Sequence, residues 1–354
     1  MENGDNGDFG TAKLLKCARL VQWVGVMRLF QPLLLVLAWI TATHAADPEP
    51  LTLERKIPLG KVSGRIDHFA FDAKGHRLFL AELGNDTVSV VNVENGVVEK
   101  RIEGVKEPQG VAYVAETNAL YVASGDDGSV RVFRGDDFQQ AATIEFKDDA
   151  DNLRVDAANH LVYVGYGSGA IAAIDARTMT KGAIIPLKSH PEGFQLEPKG
   201  NRIFVNVPSA REVAVLDRSS GQQVGSWKAP AVANFPMAVR ADGSQVFTVY
   251  RLPARLVAYD TKSGNIVFNV STCGDADDVF LDAKRERAYV SCGSGGIDVF
   301  QVTPTNATHV TEINTSSGAR TAFYDADLDR LFLAVRATSK EPAAIWVYRP
   351  TPPP

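Results

Sequence analysis

Seven short polar segments carry most of the side chains in this sequence that could do chemistry. They begin at Arg65, Glu107, Asp149, His190, Asn234, Asp275 and Gly318, at intervals of 41 to 44 positions. The third residue of each is Asp67, Gln109, Asp151, Glu192, Pro236, Asp277 or Arg320, and the fourth position adds His68, Asn152 and Asp278. If the repeat closes on itself, these positions become stacked polar rings around one axis. Carboxylates crowded in that way repel one another and need a counter-charge. Ca2+ or another divalent cation on oxygen ligands would supply it, with Asp67, Asp151 and Asp277 as the ligand set. Arg65 and Arg320 would serve equally by ion pairing, since the last repeat abuts the first in a closed ring. A solvated channel lining with no bound ligand is the third reading of the same residues.

His68 and His190 are the histidines that fall at ring positions, next to Asp67 and near Glu192. A histidine in reach of a carboxylate is a general-base arrangement, and it is equally a structural hydrogen-bonded pair. The catalytic candidates are therefore His190, Glu192 and His68. No G-x-S-x-G elbow, P-loop, H-E-x-x-H, C-x-x-C or haem-attachment motif occurs. Loops between the second and third strands add Arg211, Arg251, Arg255, Arg336 and Lys340 on the same face. With the acids concentrated in other repeats, the expected mouth is a dipolar cup that orients an anionic or zwitterionic ligand. Cys273 and Cys292 flank one repeat's first two strands; they form either a disulfide or two buried free thiols.

The elements that must position these groups follow from the repeat. In the first unit, Phe69–Phe71 is a short apolar strand ended by the turn cluster Asp72, Lys74 and Gly75. Arg77–Leu83 is apolar on both faces, as a strand packed between two neighbours must be. Thr87–Val93 is β-branched and alternating, and Asn95-Gly96 is a hairpin signal into Val97–Ile102. Four strands per 41 to 44 residues, repeated seven times, specify an all-β fold, a seven-bladed β-propeller. The seventh unit stops after its third strand, Ala344–Tyr348, in a Pro-rich tail over 350–354. An open blade would expose a strand edge. Leu51–Leu59 is the one unassigned strand, so it is predicted to complete blade seven and close the ring.

Ahead of that strand, Arg28 precedes an apolar stretch over 29–40, followed by Thr43, Ala45 and Ala46. This order describes a secretory signal peptide cleaved after Ala45 or Ala46, with residues 1–26 an overrun before a start at Met27. An uncleaved anchor is the rival, but Arg28 interrupts the apolar run. The expected organisation is a leader over 1–46 and one propeller domain over 47–349, exported to the periplasm or secreted, with no membrane span after cleavage. A net charge of −5 and a pI near 5.7 leave no basic footprint for nucleic acid.

The run from Asn85 to Asn92 (NDTVSVVN), with Leu120-Tyr121-Val122-Ala123-Ser124, Leu161-Val162-Tyr163-Val164 and Ala288-Tyr289-Val290-Ser291, resembles the YVTN-type β-propeller repeats of bacterial exported proteins such as the YncE-like group. The resemblance spans about 51–349 and departs from the pattern at Val205–Pro208 and Thr248–Arg251. It implies a propeller exported to the cell envelope and no particular activity. The expected function is a binding or scaffold protein using its channel mouth for a small polar molecule, a cation or a protein segment. The alternative is a metal-assisted, lactonase-like hydrolase or a lyase built on His190, Glu192 and the channel carboxylates, an analogy of fold only.

Overall fold

The computed structural model describes residues 49–352; the leader, the start at Met27 and the last two prolines lie outside the described residues. Twenty-eight antiparallel strands form seven four-stranded sheets. In blade one the order is Phe69–Asp72, Arg77–Glu82, Thr87–Asn92 and Val97–Glu103, from axis to rim. The second strand is buried on both faces, Leu78, Phe79, Leu80 and Ala81 alike, because a blade lies on each side of it. Outer strands meet solvent on one side, and Gln222–Lys228 alternates accordingly between exposed and half-buried residues.

The apolar core is divided among the blade interfaces. One cluster joins blades one and two through Phe79, Val90, Leu120 and Val122, and equivalent clusters follow around the ring. The last holds Ile57, Leu59, Phe332 and Ile345 of blade seven against Leu78 and Leu80 of blade one. Stability is thereby shared among neighbouring pairs, and it depends on the final pair being made.

Leu51–Gly60 makes that pair. It lies antiparallel to Ala343–Pro350, with Leu51 opposite Pro350 and Ile57 opposite Ile345. The predicted latch is therefore present, and blade seven takes its outer strand from the beginning of the propeller. One boundary differs from the sequence reading: Pro350 is the last residue of the strand rather than the start of a tail. Having no N–H, it sits where the strand pairs on one side only. Blade six secures both ends of the propeller. Arg285 Nη2 donates to the Pro350 carbonyl (3.2 Å), and Arg287 Nη1 donates to those of Pro50 (3.2 Å) and Thr351 (2.7 Å). In the same blade the sulfurs of Cys273 and Cys292 are bonded to each other. Among the described residues no helix is long and apolar enough to cross a membrane.

Candidate ligand site at the channel mouth

Each polar segment enters its inner strand at the propeller axis, so neighbouring segments touch. A Cβ on Gly110 would overlap the Asp151 carbonyl, and one on Gly193 the Phe235 carbonyl, which explains glycine at these fourth positions. Gly193 donates its N–H to the Phe235 carbonyl (3.0 Å), and Thr321 Oγ1 donates to the Ile66 carbonyl (3.1 Å) across the blade seven to blade one junction. The segments enclose a polar cavity of about 200 Å³.

Arginines neutralise one side of it. Arg251 reaches Asp277 at 2.6 Å and Asp275 at 3.3 Å, and Arg320 reaches each of them at 2.9 Å. Arg65 pairs with Asp67 at 3.0 Å and lies 3.9 Å from Asp277, and His68 is 3.2 Å from Asp67. This network corrects the expectation of a cation cage. Among the described residues, no three His, Cys, Asp or Glu side chains are grouped to hold a metal ion, so Asp67, Asp151 and Asp277 do not form a cation cage. Guanidinium groups from blades one, five and seven carry the counter-charge instead. Arg251 and Arg320 are turned onto Asp275 and Asp277 rather than offered to an anion.

The opposite side, from blades two to four, has acids without such partners. Gln109 Nε2 donates to Asp149 Oδ1 at 2.8 Å. His190 donates from Nδ1 to the Gly167 carbonyl (2.7 Å), which leaves Nε2 3.9 Å from Asp149. His190 and Glu192 line the same cavity with no direct hydrogen bond or ion pair between them. Asn152 Nδ2 donates to Asp151 Oδ2 (3.0 Å). Both residues are buried, at 6% and 2% exposure, yet Asp151 Oδ1 and Asn152 Oδ1 have no hydrogen-bond partner within the protein.

Three predicted site residues stand apart. Glu107 is exposed, with its amide donating to Asp86. Asn234 is buried between blades, where Nδ2 donates to Asn206 Oδ1 and to the Glu212 carbonyl. Arg336 lies beside Gly318 in a side recess that also contains Asp275 and Arg320. Sequence reasoning missed Phe235, whose ring lies 4.1 Å beneath the Arg251 guanidinium. It also missed Arg154, in the middle of an inner strand. A charged residue between Leu153 and Val155, where blades one and two have Ala70 and Ala112, was the available signal.

Enclosure shifts the titration of these groups mostly one way. Burial, reinforced by Asp151 and Asp277, raises Glu192 to about 8. Burial raises Asp278 to about 7 and Asp151 to about 6, against the opposing pull of His68. For His68, burial acts downward but the Asp67 carboxylate outweighs it, and the imidazolium persists to about 10. Asp67 moves the other way: His68 and Arg65 hold it below the ordinary carboxylate range in spite of its burial.

A raised native pKa means that the folded state holds a proton the unfolded chain has released. Stability from these groups is complete below their unfolded values and is lost as pH rises towards the native ones. Glu192, Asp278 and Asp151 act from about pH 4 to 8, and His68 from about 6.5 to 10. Asp67 has the opposite sign, and its contribution is lost only below about pH 4. The melting temperature should therefore fall between pH 5 and 9. Every tenfold difference in proton affinity between the folded and unfolded chain is worth about 1.4 kcal/mol, or roughly 2–4 °C. Glu192→Gln should flatten the profile, since the amide mimics the neutral acid. A melting temperature that rises over this range would refute the assignment.

No family model and no curated protein matches the chain. Among solved structures the fold is similar to Kuenenia stuttgartiensis hydrazine synthase, with a TM-score of 0.70 and 17% identity, covering 88% of this chain and 99% of that one. It is also similar to a chain in the crystal structure of the mitotic checkpoint complex, with a TM-score of 0.74 and 15% identity, covering 85% and 96%. At such identities the likeness shows the fold alone, a seven-bladed β-propeller.

Proposed function

We propose that the protein is a non-catalytic binding protein whose channel mouth takes a small, neutral or cationic polar molecule rich in hydrogen-bond donors. One observation carries the reading: Asp151 Oδ1 and Asn152 Oδ1 are buried acceptors with no protein partner, beside the cavity and opposite arginines already paired. A buried acceptor left unsatisfied costs about 1–3 kcal/mol, so a donor-bearing ligand gains what the protein does not supply itself. The acids of blades two to four disfavour an anion there. Export to the cell envelope, as the YVTN-like repeats and the leader imply, agrees with the Cys273–Cys292 bond, a linkage of oxidising compartments.

A thermal-shift screen of amines, polyols, sugar acids, nucleotides, peptides and divalent ions tests this. A ligand at a hundred times its Kd adds about 2.7 kcal/mol to stability. The expected hits are amines or polyols, and Asp151→Ala, which removes the acceptor, should abolish the shift. Anions alone shifting the protein would overturn the reading, and no shift with any small molecule would favour a protein partner.

Glu192 favours a second reading. A carboxyl that stays neutral to about pH 8 beside a polar cavity is equipped as a general acid for a hydrolase or lyase. Turnover of a screened ligand that is lost in Glu192→Gln, with ligand affinity retained, would establish catalysis in place of simple binding.

A further inference from the structure

Below the polar ring the channel changes character. Successive residues of a strand point to opposite sides, so the positions two steps beyond the fourth-position residues also reach the axis. The ring two residues below His68 and Asp278 has Ala70 in blade one and Phe280 in blade six, with Arg154, Val239 and Phe323 from blades three, five and seven. This part of the channel is a cavity of about 550 Å³, running from His68 and Asp278 towards Ala73 and Asp325 at the face away from the mouth. Its size falls within the roughly 300–1,000 Å³ of small-molecule sites.

The walls are unequal. Phe280 and Phe323 stand with ring centroids 6.3 Å apart, and Phe71 lies 6.3 Å from Phe323, so blades six, seven and one provide an aromatic wall. Arg154 comes from blade three. Its Nη1 donates to the Leu153 carbonyl (2.7 Å), and its guanidinium lies over the Phe194 ring at 5.4 Å. Every arginine of the polar mouth named above, Arg65, Arg251 and Arg320, is paired with a carboxylate, and Arg154 makes no ion pair. The acid whose field it feels most is Asp278, which burial keeps largely neutral below about pH 7 while accepting the Ala322 N–H; His68, Asp277 and Arg154 are the charges facing it. An enclosed guanidinium without a carboxylate calls for one, because charge-assisted pairing is strongest away from water.

We propose that the lower channel is a binding site for a small carboxylate with an apolar or aromatic body, its carboxylate on Arg154 and its body against Val239, Phe280 and Phe323. The site lies directly below the polar mouth, shares His68, Arg154 and Asp278 with it, and takes the opposite charge.

Titration calorimetry of the full chain at pH 6 with phenylacetate, hexanoate and neutral phenylacetamide tests the proposal. Both acids should bind, and phenylacetamide should bind at least about tenfold more weakly. Arg154→Gln should remove that preference, and Phe323→Leu should weaken phenylacetate more than hexanoate. Should Arg154→Gln fail to fold, the acid-to-amide ratio in the unaltered protein and the Phe323→Leu effect still decide. No binding of either acid at millimolar concentration, equal binding of the amide, or undiminished binding in a folded Arg154→Gln protein would each overturn it.

Discussion

Ile57→Asp is expected to open the ring and leave the protein unfolded or protease-sensitive at ambient temperature. Ile57 is 1% exposed, pairs with Ile345 and packs in the cluster that joins blade seven to blade one. Removing a buried aliphatic side chain costs about 2–5 kcal/mol. Placing a carboxylate there adds a desolvation penalty of several kcal/mol more. A typical domain has only about 5–15 kcal/mol in total. Thr52→Asp, in the same strand but exposed, should change stability by less than about 0.5 kcal/mol. Denaturant titration and limited proteolysis of the two variants measure the contrast. A folded Ile57→Asp protein with a native denaturation midpoint would mean that the latch strand is dispensable, and the six remaining blade interfaces would then have to hold the ring alone.

The latch was legible in the sequence because it follows from counting. Each blade needs four strands, blade seven has three, and one apolar strand stands unassigned before blade one. The blades themselves were legible because their causes are local: β-branched alternation, turn clusters, and second strands apolar on both faces. The site was less so. Alignment places Glu107, Asn234 and Asp275 at one repeat position, but their surroundings depend on the neighbouring blade. Asn234 is drawn into a buried hydrogen bond with Asn206, Asp275 is held by Arg251 and Arg320, and Glu107 faces solvent. A cation was one sound answer to a ring of acids; that long arginines from blades one, five and seven reach across the axis is a matter of side-chain geometry, which spacing does not encode. Arg154 was overlooked for a different reason. It lies beyond the opening segment of its repeat, where the two-residue period of a strand carries every second side chain to the channel.

Arg285→Ala should be the most damaging single truncation of a charged side chain, at about 3–5 kcal/mol, the usual cost of breaking a buried ion pair from one side. Arg285 is 6% exposed. It donates to Asp282 Oδ2 at 2.8 Å, to both oxygens of Asp329 at 2.7 and 2.6 Å, and to the Pro350 carbonyl. Asp282, 1% exposed, would keep the Tyr289 hydroxyl (2.8 Å) and two backbone N–H groups but lose its only cation. Most of the cost is thus the stranded charge, so Asp282→Asn introduced with Arg285→Ala should recover part of it. Asp329→Ala should cost less, because Asp329 is a quarter exposed and Arg285 would retain Asp282. Equilibrium denaturation of these variants, with Asp282→Asn alone as the fourth, completes the Arg285–Asp282 cycle. A loss under about 1 kcal/mol for Arg285→Ala would show that solvent reaches Asp282. The larger predicted value would instead show that Asp282 is sealed from solvent within blade six, whose inner-strand residues Asp277 and Asp278 face the mouth and the lower channel.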